Sequence, residues 1–184
     1  MSRWQPDSRR RLQEAAVELY AEHGFSETTV AAVAERAGLT ERTFFRYFAD
    51  KREVLFGGED ALRAALVDAV AEAPRGAGPA ELADAGVGAV VRALEPRRAE
   101  LRRREPIVAR HPELRERELT KLASWTAALR EALEARAVPP RTAAVVASAR
   151  VALLAVSARR WLADDGEDLA ATVAADLAAL RAST

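Results

Sequence analysis

The run from Thr28 to Lys51 leaves this chain few folds to choose from. Thr29 is a helix cap, because its hydroxyl can accept from an otherwise unpaired backbone N–H of the first turn. Val30, Val33, Ala34 and Ala37 then recur at i, i+3, i+4 and i+7, one apolar stripe. Gly38 follows the last of them and can take the left-handed conformation that ends a helix without Cβ strain. Leu39 plugs the turn and Thr40 caps a second helix that begins at Glu41. Two short helices about a three-residue turn make a helix-turn-helix, a unit that lays its second helix in the major groove of DNA while the first braces it.

On the second helix Phe44 and Phe48 stand at i and i+4 and are expected to face inward. Arg42, Thr43, Arg46 and Tyr47 occupy the rest of the circumference. Arg42 lies on the first turn, where its planar fork can grip O6 and N7 of a guanine. Thr43 can donate to a base or touch a thymine methyl. Thr40, Tyr47 and Lys51 suit phosphate oxygens, and Arg46 suits either role. The same pattern also fits a plain helical bundle with Arg42 and Arg46 on a solvated face.

A longer helix over 8–23 precedes this unit, with Leu12, Ala15, Ala16, Leu19 and Tyr20 as its apolar stripe, Asp7 or Ser8 as cap and Gly24 as stop. Phe25 can fold back on its last turn. Arg3, Arg9, Arg10 and Arg11 against Asp7 make the start basic, suited to a phosphate backbone or simply to solvent. Trp4 packs on this helix or stays outside it.

The spacing of Ala15-Ala16, Gly24-Phe25, Thr28-Thr29, Ala34, Ala37-Gly38, Thr43, Phe45-Arg46-Tyr47-Phe48 and Lys51 resembles the TetR family of bacterial transcriptional regulators. The resemblance covers about the first 55 residues. It implies a homodimer with two N-terminal DNA-binding heads and helical bodies that pair and hold a small-molecule effector. Matched position by position, it places Thr29, Thr40, Arg42, Thr43, Phe45, Arg46, Tyr47 and Lys51 at the DNA. Two positions depart from the family pattern. Phe45 stands where the family usually has Tyr, which removes a hydroxyl contact to phosphate. Arg42 stands where Gly is common, which adds a charged fork.

Composition narrows the remaining classes. The 184 residues carry 28 basic and 28 acidic side chains, so the chain is not a broad, strongly basic nucleic-acid binder. A small local DNA-reading face is compatible with that balance. No cysteine is present, so neither a disulfide nor a thiolate metal site is expected. No signal-peptide pattern opens the chain and no uninterrupted apolar run reaches membrane-spanning length, which points to a cytoplasmic protein without a membrane partner. His23 and His111 each sit beside a helix end with no third group to orient them. With no glycine-rich phosphate loop and no metal-ligand spacing, neither an enzyme nor a cofactor is expected.

The fold class is all-α, about nine helices in total: a three-helix head over 1–55 and a larger effector-binding and dimerisation body over 56–184. Lys51 to Phe56 reads as helix, interrupted at Gly57-Gly58, either a joint that lets the heads change separation or a simple break. Further helices are expected from Glu59 to about Ala73, Glu81 to Leu94, Arg97 onward with Pro106 bending or ending it, Pro112 to about Ala137, Thr142 to about Leu162, and through Leu169, Val173, Leu177 and Leu180. The arginines of 97–104 read as a solvated face or an anionic-ligand rim.

Leu66, Val87, Trp125 and Arg150 are the candidate effector-pocket residues; Trp125 offers a large apolar wall with one donor, or plain core. Arg150 needs a partner in its apolar helix: Asp164, Asp165, Asp168 or Asp176 at the dimer interface, or an anionic effector. The last two helices are expected to pair with a second copy through Val145, Ala149, Ala152, Val156, Leu169, Val173 and Leu177. These features point to a sequence-specific DNA-binding regulator, a repressor of a near-palindromic double-stranded operator that an unidentified small molecule releases. The alternative is a helical DNA-binding or interaction protein without an effector.

Overall fold

A computed structural model describes residues 8–164, 166 and 168–182. Trp4, Asp7 and Asp165 lie outside the described residues. The described residues contain helices and turns and no strand: α1 (Ser8–His23), α2 (Val30–Arg36), α3 (Glu41–Tyr47), a 3₁₀ turn (Glu53–Phe56), α4 (Glu59–Glu72), α5 (Pro79–Leu94), a second 3₁₀ turn (Glu95–Arg97), α6 (Arg98–Arg110), α7 (Pro112–Ala135), α8 (Pro140–Ala163) and α9 (Leu169–Ala182). Two expectations shift. Residues 53–56 form a 3₁₀ turn instead of extending an α-helix, and Pro106 neither ends α6 nor separates it from Arg110.

The chain divides into two compact units, one of the described residues to Gly57 with 103–118, the other of 58–102 with the described residues from 119 on. The first therefore gains a segment, 103–118, that a division near residue 55 assigns to the body. Its core gathers Leu12, Ala16, Phe25, Val33, Phe44 and Phe48 with Val54 and Phe56, and takes Ile107, Val108 and Leu114 from that added segment. Arg104 is buried there over the Phe56 ring, 4.4 Å from its centroid, and pairs with Glu118 at 3.0 Å. The guanidinium thus covers an aromatic face and keeps a counter-ion, which a buried charge requires.

In the second unit α5 lies against α4 and α8, and α8 against α9. Gly86 permits the first approach: a Cβ there would stand 3.0 Å from Val70 Cγ2 and 3.1 Å from the Leu66 carbonyl. The arginines of α6 correct the solvated-face reading. Arg98 donates to the Trp161 carbonyl at 2.6 Å and Arg102 to the Leu162 carbonyl at 2.7 Å, and both reach the Asp164 carbonyl. They satisfy the last carbonyls of α8, which have no partner inside their own helix. By length and composition α8 could cross a bilayer (mean hydropathy 1.4). Here it buries Ala143, Ala147, Val151, Leu154 and Trp161 in the core.

Candidate nucleic-acid interface

Local chemistry fixes α2 and α3. Thr29 Oγ1 accepts from the Ala32 N–H at 3.1 Å and Thr40 Oγ1 from the Thr43 N–H at 3.2 Å, so both threonines are the caps their positions imply. Gly38 has φ +63°, its N–H donates to the Glu35 carbonyl at 2.8 Å, and the Leu39 N–H donates to the Ala34 carbonyl at 2.8 Å. That pair of bonds is a Schellman motif and closes α2. Arg11 donates to the Ala37 carbonyl, tying the turn to α1.

Phe44 and Phe48 are buried with ring centroids 5.4 Å apart and hold α3 from beneath, as their spacing implies. On the other side Arg42, Phe45 and Arg46 are exposed, while Thr43 and Tyr47 are half-buried. Phe45 is 55% exposed, a large apolar ring held in water. No hydrogen bond or ion pair among the described residues engages the Arg42 guanidinium. Arg46 donates to Tyr47 Oη at 3.0 Å and lies 4.8 Å from its ring centroid, so these two side chains form one unit. Thr43 Oγ1 stands 3.1 Å from Thr40 Oγ1.

Lys51 occupies a different position from a free phosphate contact. Its ammonium donates to the carbonyls of Phe25 at 2.9 Å, Ser26 at 3.2 Å and Thr28 at 3.3 Å. Its own carbonyl accepts from Tyr20 Oη at 2.7 Å. Burial, with Asp50 adding to it, pushes the Tyr20 phenol above its ordinary range, so it remains a donor. Burial raises the Asp50 carboxyl, but the Arg52 side chain and the backbone N–H groups of Glu53 and Arg52 outweigh it and hold the group below its ordinary value. Asp50 thereby caps the 3₁₀ turn that follows α3. Sequence reasoning missed these anchors because Tyr20, Phe25 and Lys51 are remote in sequence.

The body residues separate into three sets. Leu66, Val87 and Trp125 belong to one buried apolar cluster. Arg150 donates to Asp84 Oδ1 on α5 at 2.6 Å, and so corrects the expected pairing with an aspartate near or within α9. Asp176 instead accepts from Ser157 at 2.8 Å and from Arg160, and Asp168 caps α9 through the Ala171 N–H. Val145 and Val156 are 64% and 53% exposed, and Ala149 and Ala152 lie open on the same face of α8. Leu169 is fully buried in this chain's own core, so it is not surface for a second copy; Val173 packs partly against that core and Leu177 is half-buried.

Residues 12–57 match the family described as bacterial regulatory proteins, tetR family. Over 46 residues the chain is 41% identical to a putative mycofactocin biosynthesis transcriptional regulator, MftR, of Mycobacterium tuberculosis, covering 25% of this chain and 23% of that protein. Over 84 residues it is 34% identical to the HTH-type transcriptional regulator TcmR of Streptomyces glaucescens, covering 46% and 37%. The chain thus spans well under half the length of either curated relative. Across nearly the whole length its fold is similar to that of the Thermus thermophilus FadR repressor solved with lauroyl-CoA: TM-score 0.54, 25% identity, 92% of this chain and 91% of that one. The helix-turn-helix within residues 12–57 is thus that of the tetR family of bacterial regulatory proteins, and the all-helical fold of the described residues is similar to that of a TetR-family repressor.

Proposed function

We propose that this protein is a homodimeric repressor that reads a near-palindromic double-stranded operator through α3 and leaves it when a small molecule binds the body. The observation that carries the reading is the exposed guanidinium of Arg42, without a partner among the described residues, on a helix braced by Phe44 and Phe48. A guanidinium with no partner among the described residues keeps its fork for a guanine edge in the major groove. Thr43 and the Arg46-Tyr47 unit extend that face, and exposed Phe45 offers apolar contact to a thymine methyl or the sugar edge. Thr29 and Thr40, at the starts of α2 and α3, take phosphates. Lys51 acts chiefly by holding the loop ahead of α2.

A second copy supplies the dyad. The open face of α8, with Val145, Ala149, Ala152 and Val156, is a stripe of small and apolar residues suited to a close helix pair, and Val173 and Leu177 of α9 flank it. Two copies of α3 then enter successive major grooves about 34 Å apart. The residues to Gly57 contain the DNA-reading element, and the unit containing α8 and α9 carries pairing and effector binding. The effector site involves Leu66, Val87 and Trp125, while Arg150 is committed to Asp84. A solved relative of the same fold that carries lauroyl-CoA supports a ligand-responsive body. By linkage the effector releases DNA only if it binds the DNA-free form more tightly. The protein works by binding, in the cytoplasm where its operator lies.

Selection of bound duplexes from a random pool tests this reading. Recovery of a near-palindrome, and its release by some member of a metabolite panel, is the expected result; a pool that enriches no motif contradicts it.

A further inference from the structure

The indole of Trp125 is 4% exposed, and its Nε1–H is buried with no acceptor among the described residues. It lies in the apolar cluster that holds Leu66, Val87, Leu129 and Val151. A buried donor without an acceptor is rare in a folded protein, because it forfeits its bonds to water and gains nothing in return. Lys121, one turn earlier on α7, places its ammonium 4.9 Å from the indole ring centroid. That charge withdraws density from the ring and sharpens the N–H as a donor.

The helix bearing this donor is not among the closely paired helices of the second unit. Within the second unit α4 and α5 approach each other closely, as do α5 and α8, whereas α7 reaches the cluster through the long side chains of Trp125, Leu129 and Leu133. Binding sites for small molecules are mostly apolar with a few placed polar groups, which is the chemistry found here.

We infer that Trp125 Nε1–H is the polar anchor of the effector site, and that the effector is an apolar molecule presenting a hydrogen-bond acceptor oxygen to it. The inference rests on the effector-responsive reading above. It excludes pure hydrocarbons as good effectors and assigns orientation to a single donor.

Matched ligand pairs test it on the full-length protein. 2-Acetylnaphthalene with 2-ethylnaphthalene, and 2-undecanone with undecane, differ chiefly in the acceptor oxygen. In protein carrying ¹⁵N-indole tryptophan, the Trp125 signal is assigned by elimination from Trp4→Phe and Trp161→Phe as well as from Trp125→Phe, so assignment survives if one variant does not fold. At least one ketone should move the Trp125 proton downfield, leave the Trp161 signal in place, and bind about tenfold more tightly than its hydrocarbon. In Trp125→Phe that preference should fall to near unity. Equal binding of ketone and hydrocarbon, no binding by either ketone, or a Trp125 signal indifferent to a bound ketone each overturns the inference. Its failure is separable from that of the regulator reading. A protein that holds ketones at Trp125 yet enriches no DNA sequence sinks the latter alone, and one that enriches a motif without any indole response sinks only the former.

Discussion

The ammonium of Lys51 lies 4.3 Å from the centroid of the Phe25 ring and donates to the carbonyl of the same residue at 2.9 Å. One side chain thereby closes the loop between α1 and α2 from two directions, by cation–π attraction and by hydrogen bonds to three carbonyls. Lys51→Met should lower head stability by about 1–2 kcal/mol, read as a shift in the urea midpoint. Operator and random duplexes should then lose affinity by the same factor. Unchanged stability with a loss confined to one sequence would mean that Lys51 reads DNA directly.

Asp50 sets a pH dependence whose direction is fixed. Its carboxyl is held below its ordinary value in the folded state, so its contribution is present above the unfolded-state pKa and disappears as the pH falls through the folded one. Asp50→Asn should therefore be less stable than the parent at neutral pH. The gap in urea midpoint should narrow as the pH drops below the ordinary aspartate range. A gap that stays constant across that range would remove the charged cap from the account.

Gly38 stands at φ +63°, and a Cβ there would lie 2.8 Å from an Arg11 guanidinium nitrogen. Gly38→Ala combines left-handed strain with a displaced Arg11, which otherwise donates to Ala37. Thermal unfolding should show a loss of about 1–2 kcal/mol. The Arg11 end is a flexible side chain, so the backbone term dominates.

Val156 is 53% exposed on the face of α8 proposed for pairing. Val156→Asp puts a charge where two copies would meet. It should sediment as a monomer at concentrations where the proposed dimer forms in the parent, with the helical content unchanged. Affinity for a full operator should fall towards that for a half-site.

The head was legible because its signals are local. A cap acts within three residues of itself and a left-handed glycine within two, so Thr29, Gly38 and Thr40 could be placed from their neighbours. Phe44 and Phe48 follow from helical periodicity alone. The partners of charges were not legible. Arg150 and Asp84 are 66 positions apart, and several aspartates offered equal claims. The arginines of α6 looked solvated because the carbonyls they cap belong to a helix that ends some 60 residues later. Leu169 looked like interface for a related reason: an apolar periodicity marks a buried face but does not say whether this chain or a second copy buries it. The segment 103–118 packs with the first unit through Ile107, Val108 and Leu114 and through Arg104 over Phe56, contacts that no local pattern announces.

In the proposed complex α3 enters the major groove with Arg42 on a guanine. The most direct measurement is methylation interference on the duplex recovered by selection, with the parent and Arg42→Ala compared side by side. N7-methylguanine should block the parent in both half-sites, about one helical turn apart. Arg42→Ala should bind about 1–3 kcal/mol more weakly and become indifferent to methylation at one guanine in each half-site. Interference limited to minor-groove N3-methyladenine, or identical guanine patterns for the two proteins, would contradict it.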